Sequence, residues 1–107
     1  MSALLSQDPV LPKFRHRLDE IYGDRLARAV LYGSRARGDA HGDSDYDVAI
    51  FLTTISNWDE EQRRLDDLRV EMFEKSRELF DMTPFLMAEW PDRTPLMGEI
   101  RREGIVF

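Results

Sequence analysis

The sequence predicts an α/β fold in which a small mixed β-sheet carries flanking helices. Two short apolar runs, at Leu26 to Tyr32 and at Val48 to Leu52, are typical of buried strands. Longer segments before and after these runs repeat apolar residues at helical spacing. A length of 107 residues suits one domain, so we expect residues 1–107 to fold as a single unit.

The first half of the chain is predicted to form a helix and two strands with a tight turn between them. Pro12 begins an apolar stripe at helical spacing, and Gly23 ends it. The first strand is Leu26 to Tyr32, and a Gly-Ser pair then turns the chain. The elements that follow are a helical turn or loop at residues 35–40, a loop at residues 42–44, and a second strand at Asp45 to Leu52.

A long helix is predicted after the second strand. Asn57, followed three residues later by Glu60, resembles a capping box, although Asn replaces the usual Ser or Thr. The helix should run for about five or six turns. Its apolar stripe is formed by Leu65, Leu68, Met72 and Leu79.

The last third of the chain predicts a strand, a helix and a final short strand. Asp81 to Met87 has strand character, but Pro84 cannot donate to a ladder, so this strand should lie at a sheet edge or contain a bulge. Thr94 and Pro95 are typical of a helix start, and Gly104 of its end. The final strand is predicted at residues 105–107.

Composition excludes several classes of function. The chain has no cysteine, so it forms no disulfide, thiolate metal site or cysteine nucleophile. No apolar run approaches the roughly 18 residues of a membrane span, and the first residues do not resemble a secretory signal, so we expect a cytoplasmic protein without membrane contact. A net charge of -6 opposes direct, stable nucleic-acid binding and would suit a basic protein partner or simply aid solubility.

Two carboxylates open the second predicted strand. Residues i and i+2 of a strand share a face, so Asp45 and Asp47 point the same way. Carboxylates in this arrangement favour Mg²⁺ or Mn²⁺, which bind through one or two carboxylates together with nucleotide phosphates. A lone Asp-x-Asp is more often a turn or a solvated strand edge, but here Asp81 opens a later strand and would join the pair if the strands are neighbours.

This combination predicts a metal-assisted nucleotide site. Three acids around two divalent ions would activate a hydroxyl nucleophile for attack on an α-phosphate, with Asp81 acting as a metal ligand or as a general base. Gly33 lets the backbone approach phosphate oxygens, and the Ser34 hydroxyl with nearby amides would hold the β- and γ-phosphates. Arg35 or Arg37 would neutralise the same charge.

These residues resemble the nucleotidyltransferase superfamily of DNA polymerase β, and within it the minimal nucleotidyltransferases. The family pattern Gly-Ser-x-Ala-Arg-Gly, a spacer and Ser-Asp-x-Asp is matched at Gly33, Ser34, Ala36, Arg37, Gly38, Ser44, Asp45 and Asp47. Asp81 takes the place of the third family acid, although Met82-Thr83-Pro84 is an unusual continuation. The resemblance implies the polymerase β-like fold, two Mg²⁺ ions and ATP as substrate.

The resemblance also implies a partner. Minimal members of this superfamily are often antitoxins of HEPN ribonuclease toxins, and they transfer AMP from ATP to a tyrosine of the toxin. Two alternatives stay open: a binding module that masks its toxin without catalysis, and a nucleotidyltransferase that modifies a small molecule such as an antibiotic. Retained clustered acids oppose the first, because like charges without a cation cost stability. No visible acceptor pocket supports the second.

Overall fold

The computed structural model describes residues 8–38 and 44–107 and confirms the mixed α/β architecture. A four-stranded sheet has the order β3-β2-β1-β4. Strands β1 and β2 are antiparallel, β1 and β4 are antiparallel, and β2 and β3 are parallel. The strands are β1 (Leu26–Tyr32), β2 (Tyr46–Leu52), β3 (Phe80–Leu86) and β4 (Ile105–Val106), and the helices are α1 (Leu11–Tyr22), α2 (Gly33–Arg37), α3 (Trp58–Ser76) and α4 (Pro95–Glu103).

Helix α1 forms where the apolar stripe predicted it. Asp8 lies three residues before the helix, and its carboxylate accepts hydrogen bonds from the backbone N–H groups of Val10 (2.7 Å) and Leu11 (3.0 Å) at the helix start. Phe14 and Leu18 are fully buried against the sheet. A short 3-10 turn at Gly23–Arg25 then leads into β1.

The segment after β1, predicted as a helical turn or a loop, forms the short helix α2. It has five residues and begins at the buried Gly33, two residues before the predicted start. Residues 39–43 lie outside the described residues, and they include most of the loop predicted at residues 42–44.

Strands β2 and β3 begin one residue away from their predicted starts. The ladder between them opens where the Tyr46 N–H donates to the Leu79 carbonyl at 2.8 Å. Asp45 therefore lies just before β2 rather than inside it, and β3 begins at Phe80. Met87 was predicted to end β3, but it starts a 3-10 turn instead. The edge position predicted from Pro84 is confirmed, because β3 is the outermost strand beside β2.

Helix α3 crosses over the sheet and connects the parallel strands β2 and β3. Asn57 caps it as predicted, with its side-chain oxygen accepting from the Glu60 N–H at 3.1 Å. The helix has 19 residues, close to the expected number of turns. Leu79 was expected to continue the apolar stripe, but this is wrong. The helix ends at Ser76, and the left-handed backbone of the next residue, Arg77 (φ 61°), redirects the chain and leaves Leu79 exposed.

The sheet is covered by helices on both faces. Helices α1 and α3 pack on the face that carries Val48, Ile50 and Phe80. Helix α4 packs on the opposite face, with Met97 and Ile100 against Phe51 and its neighbours. Within the described ranges, no helix has the length and apolar character needed to cross a membrane.

Candidate functional site

The candidate site lies at the sheet end where β1 finishes and where β2 and β3 begin. In the strand register, Tyr32 of β1 is opposite Asp47 of β2, and Asp47 is beside Asp81 of β3. Residues at matching positions of neighbouring strands share a face. The parallel pairing of β2 and β3 therefore brings Asp47 and Asp81 together, although they are far apart in sequence.

The three predicted acids differ in exposure. Asp45 and Asp81 are exposed, whereas Asp47 is partly buried. Burial raises the pKa of the Asp47 carboxyl above its usual value, and the negative charges of Asp81 and Asp45 raise it further. A cation beside the Asp47 carboxylate would therefore be stabilised.

Gly33 touches this group through its backbone. Its φ is +74°, in the left-handed region, and it is buried at the start of α2. A Cβ at this position would collide with the Asp47 carboxylate oxygen and lie 3.2 Å from its Cγ. The turn of the chain and the first acid of β2 are therefore packed against each other, with Ser34 next along the helix.

The two predicted phosphate-binding arginines lie in different places. Arg37 is near the acids, and its positive charge partly offsets the rise in the Asp47 pKa. It forms ion pairs with Glu99 (3.7 Å) and Glu103 (3.3 Å) of α4. Arg35 is placed elsewhere: its guanidinium lies over the ring of Tyr46, which points to the opposite face of the sheet from Asp47.

Two residues near the acids were not singled out from the sequence. Tyr32 is almost fully buried. Burial is the main cause that raises the pKa of its hydroxyl, and the negative charge of the nearby Asp47 raises this pKa further. Glu99 of α4 adds negative charge close to Asp47. The position of Tyr32 at the end of a strand, immediately before Gly33, is a signal that sequence reasoning could have used. Glu99 has no such signal, because only helix packing brings α4 to the site.

The donor chemistry suits a hard divalent cation. Among residues 8–38 and 44–107, no three His, Asp or Glu side chains are gathered closely enough to form a metal site by themselves. Mg²⁺ does not require such a cage, since it commonly binds through one or two carboxylates, water and substrate phosphates. The paired Asp47 and Asp81, with Asp45 nearby, fit that mode of binding.

Comparisons with known proteins agree with this geometry. The family model described as "Polymerase beta, Nucleotidyltransferase" matches residues 20–106. A curated relative, a putative protein adenylyltransferase of Methanocaldococcus jannaschii, is 35% identical over 54 residues, which are 50% of this chain and 54% of the relative. The chain therefore spans about half the length of this relative.

Solved structures share the fold at low sequence identity. A toxin-antitoxin crystal structure with AMP-PNP has a TM-score of 0.64 at 17% identity, and a mutant of the toxin-antitoxin MntA-HpeT has 0.64 at 15%. Each match covers 88% of this chain and 69% of the other.

A putative nucleotidyltransferase from Sulfolobus solfataricus has a TM-score of 0.59 at 19% identity, over 97% of this chain and 81% of that one. These likenesses concern the fold, whereas the family match rests on sequence and takes in most of the chain. With its strands, turn and acids in the arrangement described above, the chain belongs to the polymerase beta nucleotidyltransferase family.

Proposed function

We propose that this protein is a Mg²⁺-dependent antitoxin that transfers AMP from ATP to a tyrosine hydroxyl of a HEPN ribonuclease toxin. The observation that carries the proposal is the register of β2 and β3, which places Asp47 beside Asp81 and next to the buried Gly33. The relative described as a putative protein adenylyltransferase supports the reaction type. The toxin-antitoxin structures with the same fold support the biological setting.

The reaction exchanges a phosphoanhydride bond of ATP for a phosphoester bond to the acceptor. The acceptor oxygen forms a bond to the α-phosphorus of ATP, the bond from that phosphorus to the bridging oxygen of the β-phosphate breaks, and pyrophosphate leaves. Asp81 accepts the proton of the acceptor hydroxyl. Its exposure on an edge strand leaves it accessible to a side chain of another protein.

The remaining residues hold the triphosphate. Gly33 and Ser34 approach its oxygens, and Arg37 balances part of its charge. Two magnesium ions, when bound by Asp45, Asp47 and Asp81, would supply Lewis-acid stabilisation of the charge on the phosphates and on the leaving pyrophosphate. The half-buried position of Asp47 favours such charge neutralisation, because its own charge is poorly solvated.

The acceptor is proposed to come from a basic partner. A ribonuclease needs positive charge to hold RNA, and the net charge of -6 on this chain complements it. The two proteins would then associate before the hydroxyl reaches the acids.

The test combines purified protein, ATP labelled at the α-phosphate, Mg²⁺ and the HEPN protein encoded by the neighbouring gene. We expect label on the toxin with the wild type and with Asp67→Asn, a matched control that removes an exposed acid from α3. Asp47→Asn should leave the toxin unlabelled. Absence of label with the wild type, or full label with Asp47→Asn, would contradict the proposal.

A second arm separates catalysis from masking. Cells that express the toxin are given either the wild type or the double variant Asp45→Asn, Asp47→Asn. We expect only the wild type to restore growth. Equal protection by the double variant, at equal protein level, would show that binding alone neutralises the toxin.

A further inference from the structure

We propose that Arg35 is a positioning residue, which holds together the chain segments that carry the catalytic groups and does not itself bind nucleotide. Arg35 occupies the variable position in the Gly-Ser-x-Ala-Arg-Gly pattern. The inference rests on the proposed function for the chemistry of the site. The contacts that carry it, however, are all within the described residues.

The guanidinium of Arg35 connects three segments. Arg35 belongs to α2, directly after Gly33 and Ser34. Its Nε donates to the backbone carbonyl of Ser44 at 2.8 Å, and Ser44 immediately precedes Asp45. Its Nη2 donates to the Glu78 carboxylate at 3.2 Å, shortly before β3 and Asp81. One side chain thus joins the phosphate-side turn to the starts of both acid-bearing strands.

The flat face of the Arg35 guanidinium also contacts an aromatic ring. Its Cζ lies 3.9 Å from the centroid of the Tyr46 ring, a distance at which the cation is attracted to the aromatic face. Tyr46 in turn stacks on Phe80, the first residue of β3, with ring centroids 4.6 Å apart. Its hydroxyl donates to Asp8 at 2.7 Å. The contact with Arg35 therefore continues into the packing between β2, β3 and the start of α1.

This environment leaves Arg35 badly placed to bind phosphate. Its side chain is only 16% exposed and lies on the face of the sheet opposite Asp47, whereas the Arg37 side chain is 40% exposed and close to Asp47. Two nitrogens of the Arg35 guanidinium, Nε and Nη2, and one flat face are already engaged by protein groups on that side of the sheet. We therefore assign the phosphate-side charge to Arg37 and the structural connection to Arg35.

Arginine is specifically suited to this task. Its planar fork donates in two directions while its face stacks on a ring, which a lysine ammonium cannot do. Lysine does preserve the positive charge, and a charge is the main requirement for phosphate attraction. Arg35→Lys therefore distinguishes a positioning role from phosphate binding.

The experiment measures Mn²⁺ affinity by electron paramagnetic resonance in the presence of AMP-PNP, without any acceptor protein. The variants are Arg35→Lys, Arg35→Ala and Glu78→Gln, with Arg69→Ala on α3 as a control for loss of one positive charge. We expect both Arg35 variants to weaken Mn²⁺ binding by about tenfold or more, as loss of a supporting residue does at other metal sites. Glu78→Gln should act in the same direction with a smaller effect, and Arg69→Ala should match the wild type.

Steady-state kinetics provide the second readout. For a positioning residue, kcat falls by about tenfold or more in both Arg35 variants while KM for ATP stays within about twofold, because misplacement of catalytic groups acts on the chemical step. Thermal unfolding confirms that each variant is folded at the assay temperature. Arg35→Lys is the milder change and keeps the test usable if Arg35→Ala unfolds.

Two results would overturn the inference. The first is an Arg35→Lys protein with wild-type Mn²⁺ affinity and kcat. The second is a rise in KM for ATP of about tenfold in Arg35→Ala that Arg35→Lys restores, which identifies a phosphate ligand. Failure of the proposed function looks different: the wild type would not label the toxin, although the Arg35 variants would still differ from it in Mn²⁺ binding.

Discussion

At the residue scale, the site depends on a close approach between a backbone and a carboxylate. Gly33 combines a positive φ with direct contact to Asp47, so two independent reasons exclude a larger residue there. Gly23 shares the positive φ (+55°) but has open space where a Cβ would project. A comparison of alanine substitutions at Gly33 and Gly23 therefore separates the cost of backbone strain from the cost of the collision with Asp47.

We predict that Gly33→Ala destabilises the protein by about 1–3 kcal/mol for the strained backbone, and by more for the displaced Asp47. Transfer activity should fall by roughly 100-fold, because the first acid of β2 must move. Urea unfolding and labelled-ATP transfer measure the two effects. Gly23→Ala is the control, and we expect it to lose stability while keeping activity. Equal activity of the two variants would contradict the role of the Gly33 contact.

Asp47 shows how function and stability oppose each other at one residue. Burial, followed by the charges of Asp81 and Asp45, raises its carboxyl pKa in the folded protein. The folded state therefore holds the proton more tightly than the unfolded chain. The contribution of Asp47 to the free energy of unfolding is fully present below the pKa of about 3.9 that its carboxyl has in the unfolded chain. It is lost as the pH rises through the higher pKa of the folded protein.

We predict that Asp47→Asn raises Tm at pH 8 and has less effect near pH 4, because the amide removes a charge that is unfavourable only when ionised. The same change should lower transfer activity by roughly 100-fold or more. Circular dichroism melts at the two pH values test the first part. Asp67→Asn serves as the comparison for loss of one surface charge. A lower Tm for Asp47→Asn than for the wild type at pH 8 would show that the carboxylate stabilises the fold.

At the element scale, a buried ion pair connects α3 to the turn before β1. It lies at the end of the sheet opposite the candidate site. The Glu61 side chain is only 5% exposed and contacts Arg25, which belongs to that turn. Arg64, one turn along α3, donates to the same carboxylate at 3.3 Å. Both guanidinium groups also face the ring of Tyr22, at 5.5 Å and 5.9 Å. Within the described residues, the Arg25 Nε is buried without a hydrogen-bond partner, so Arg25 depends strongly on Glu61.

We predict that Glu61→Gln destabilises the protein by about 2–3 kcal/mol, because two partly buried cations lose their counter-charge. The folded fraction should retain full transfer activity, since this network lies at the other end of the sheet. Urea denaturation measures the loss. Glu60→Gln is the matched control: its side chain is 56% exposed and pairs with Arg64 at the surface, so its effect should stay within about 0.5 kcal/mol. Similar effects of the two changes would argue against a special role for the buried pair.

At the scale of the whole molecule, the helices cover both faces of the sheet and leave the acids at its rim. Asp81 lies on the edge strand β3, and α4 brings Glu99 and Glu103 to the other side of the site through Arg37. Asp81 is thus exposed at the edge of the sheet, and the described part of the site is bordered by negative charge. This arrangement, with the net charge of -6, is consistent with the proposed basic protein acceptor.

We predict that association with the proposed HEPN toxin depends on salt. Raising the ionic strength from 0.05 M to 0.3 M should slow association by about tenfold and change dissociation much less, because screening weakens long-range attraction. Stopped-flow measurement of the two rates tests this. Asp67→Asn, which removes one negative charge without touching the site, should reduce the salt dependence slightly. Association that is insensitive to salt would exclude electrostatic steering by a basic partner.

Much of the fold follows from local signals in the sequence. The Asn57 and Thr94 caps are local, because each side chain accepts a hydrogen bond from a backbone N–H three residues along the chain. The apolar stripe of α1 and the two apolar strands are indicated by the pattern of their own residues. Boundaries were less predictable. The ladder begins at Tyr46 because Leu79, far along the chain, accepts its N–H, and α3 stops before Leu79 through the backbone of Arg77.

The sequence by itself determined the α/β class, the turn at Gly33 and the pair Asp45 and Asp47 on one stretch of chain. Only the tertiary structure decided that Asp81 stands beside Asp47 and that Arg35 and Arg37 lie on different sides of the sheet. The physical reason is the separation in sequence between the residues that interact. A cap or a turn is stabilised by its own neighbours in sequence, whereas strand register and the direction of a long side chain are set by burial against segments that are distant in sequence.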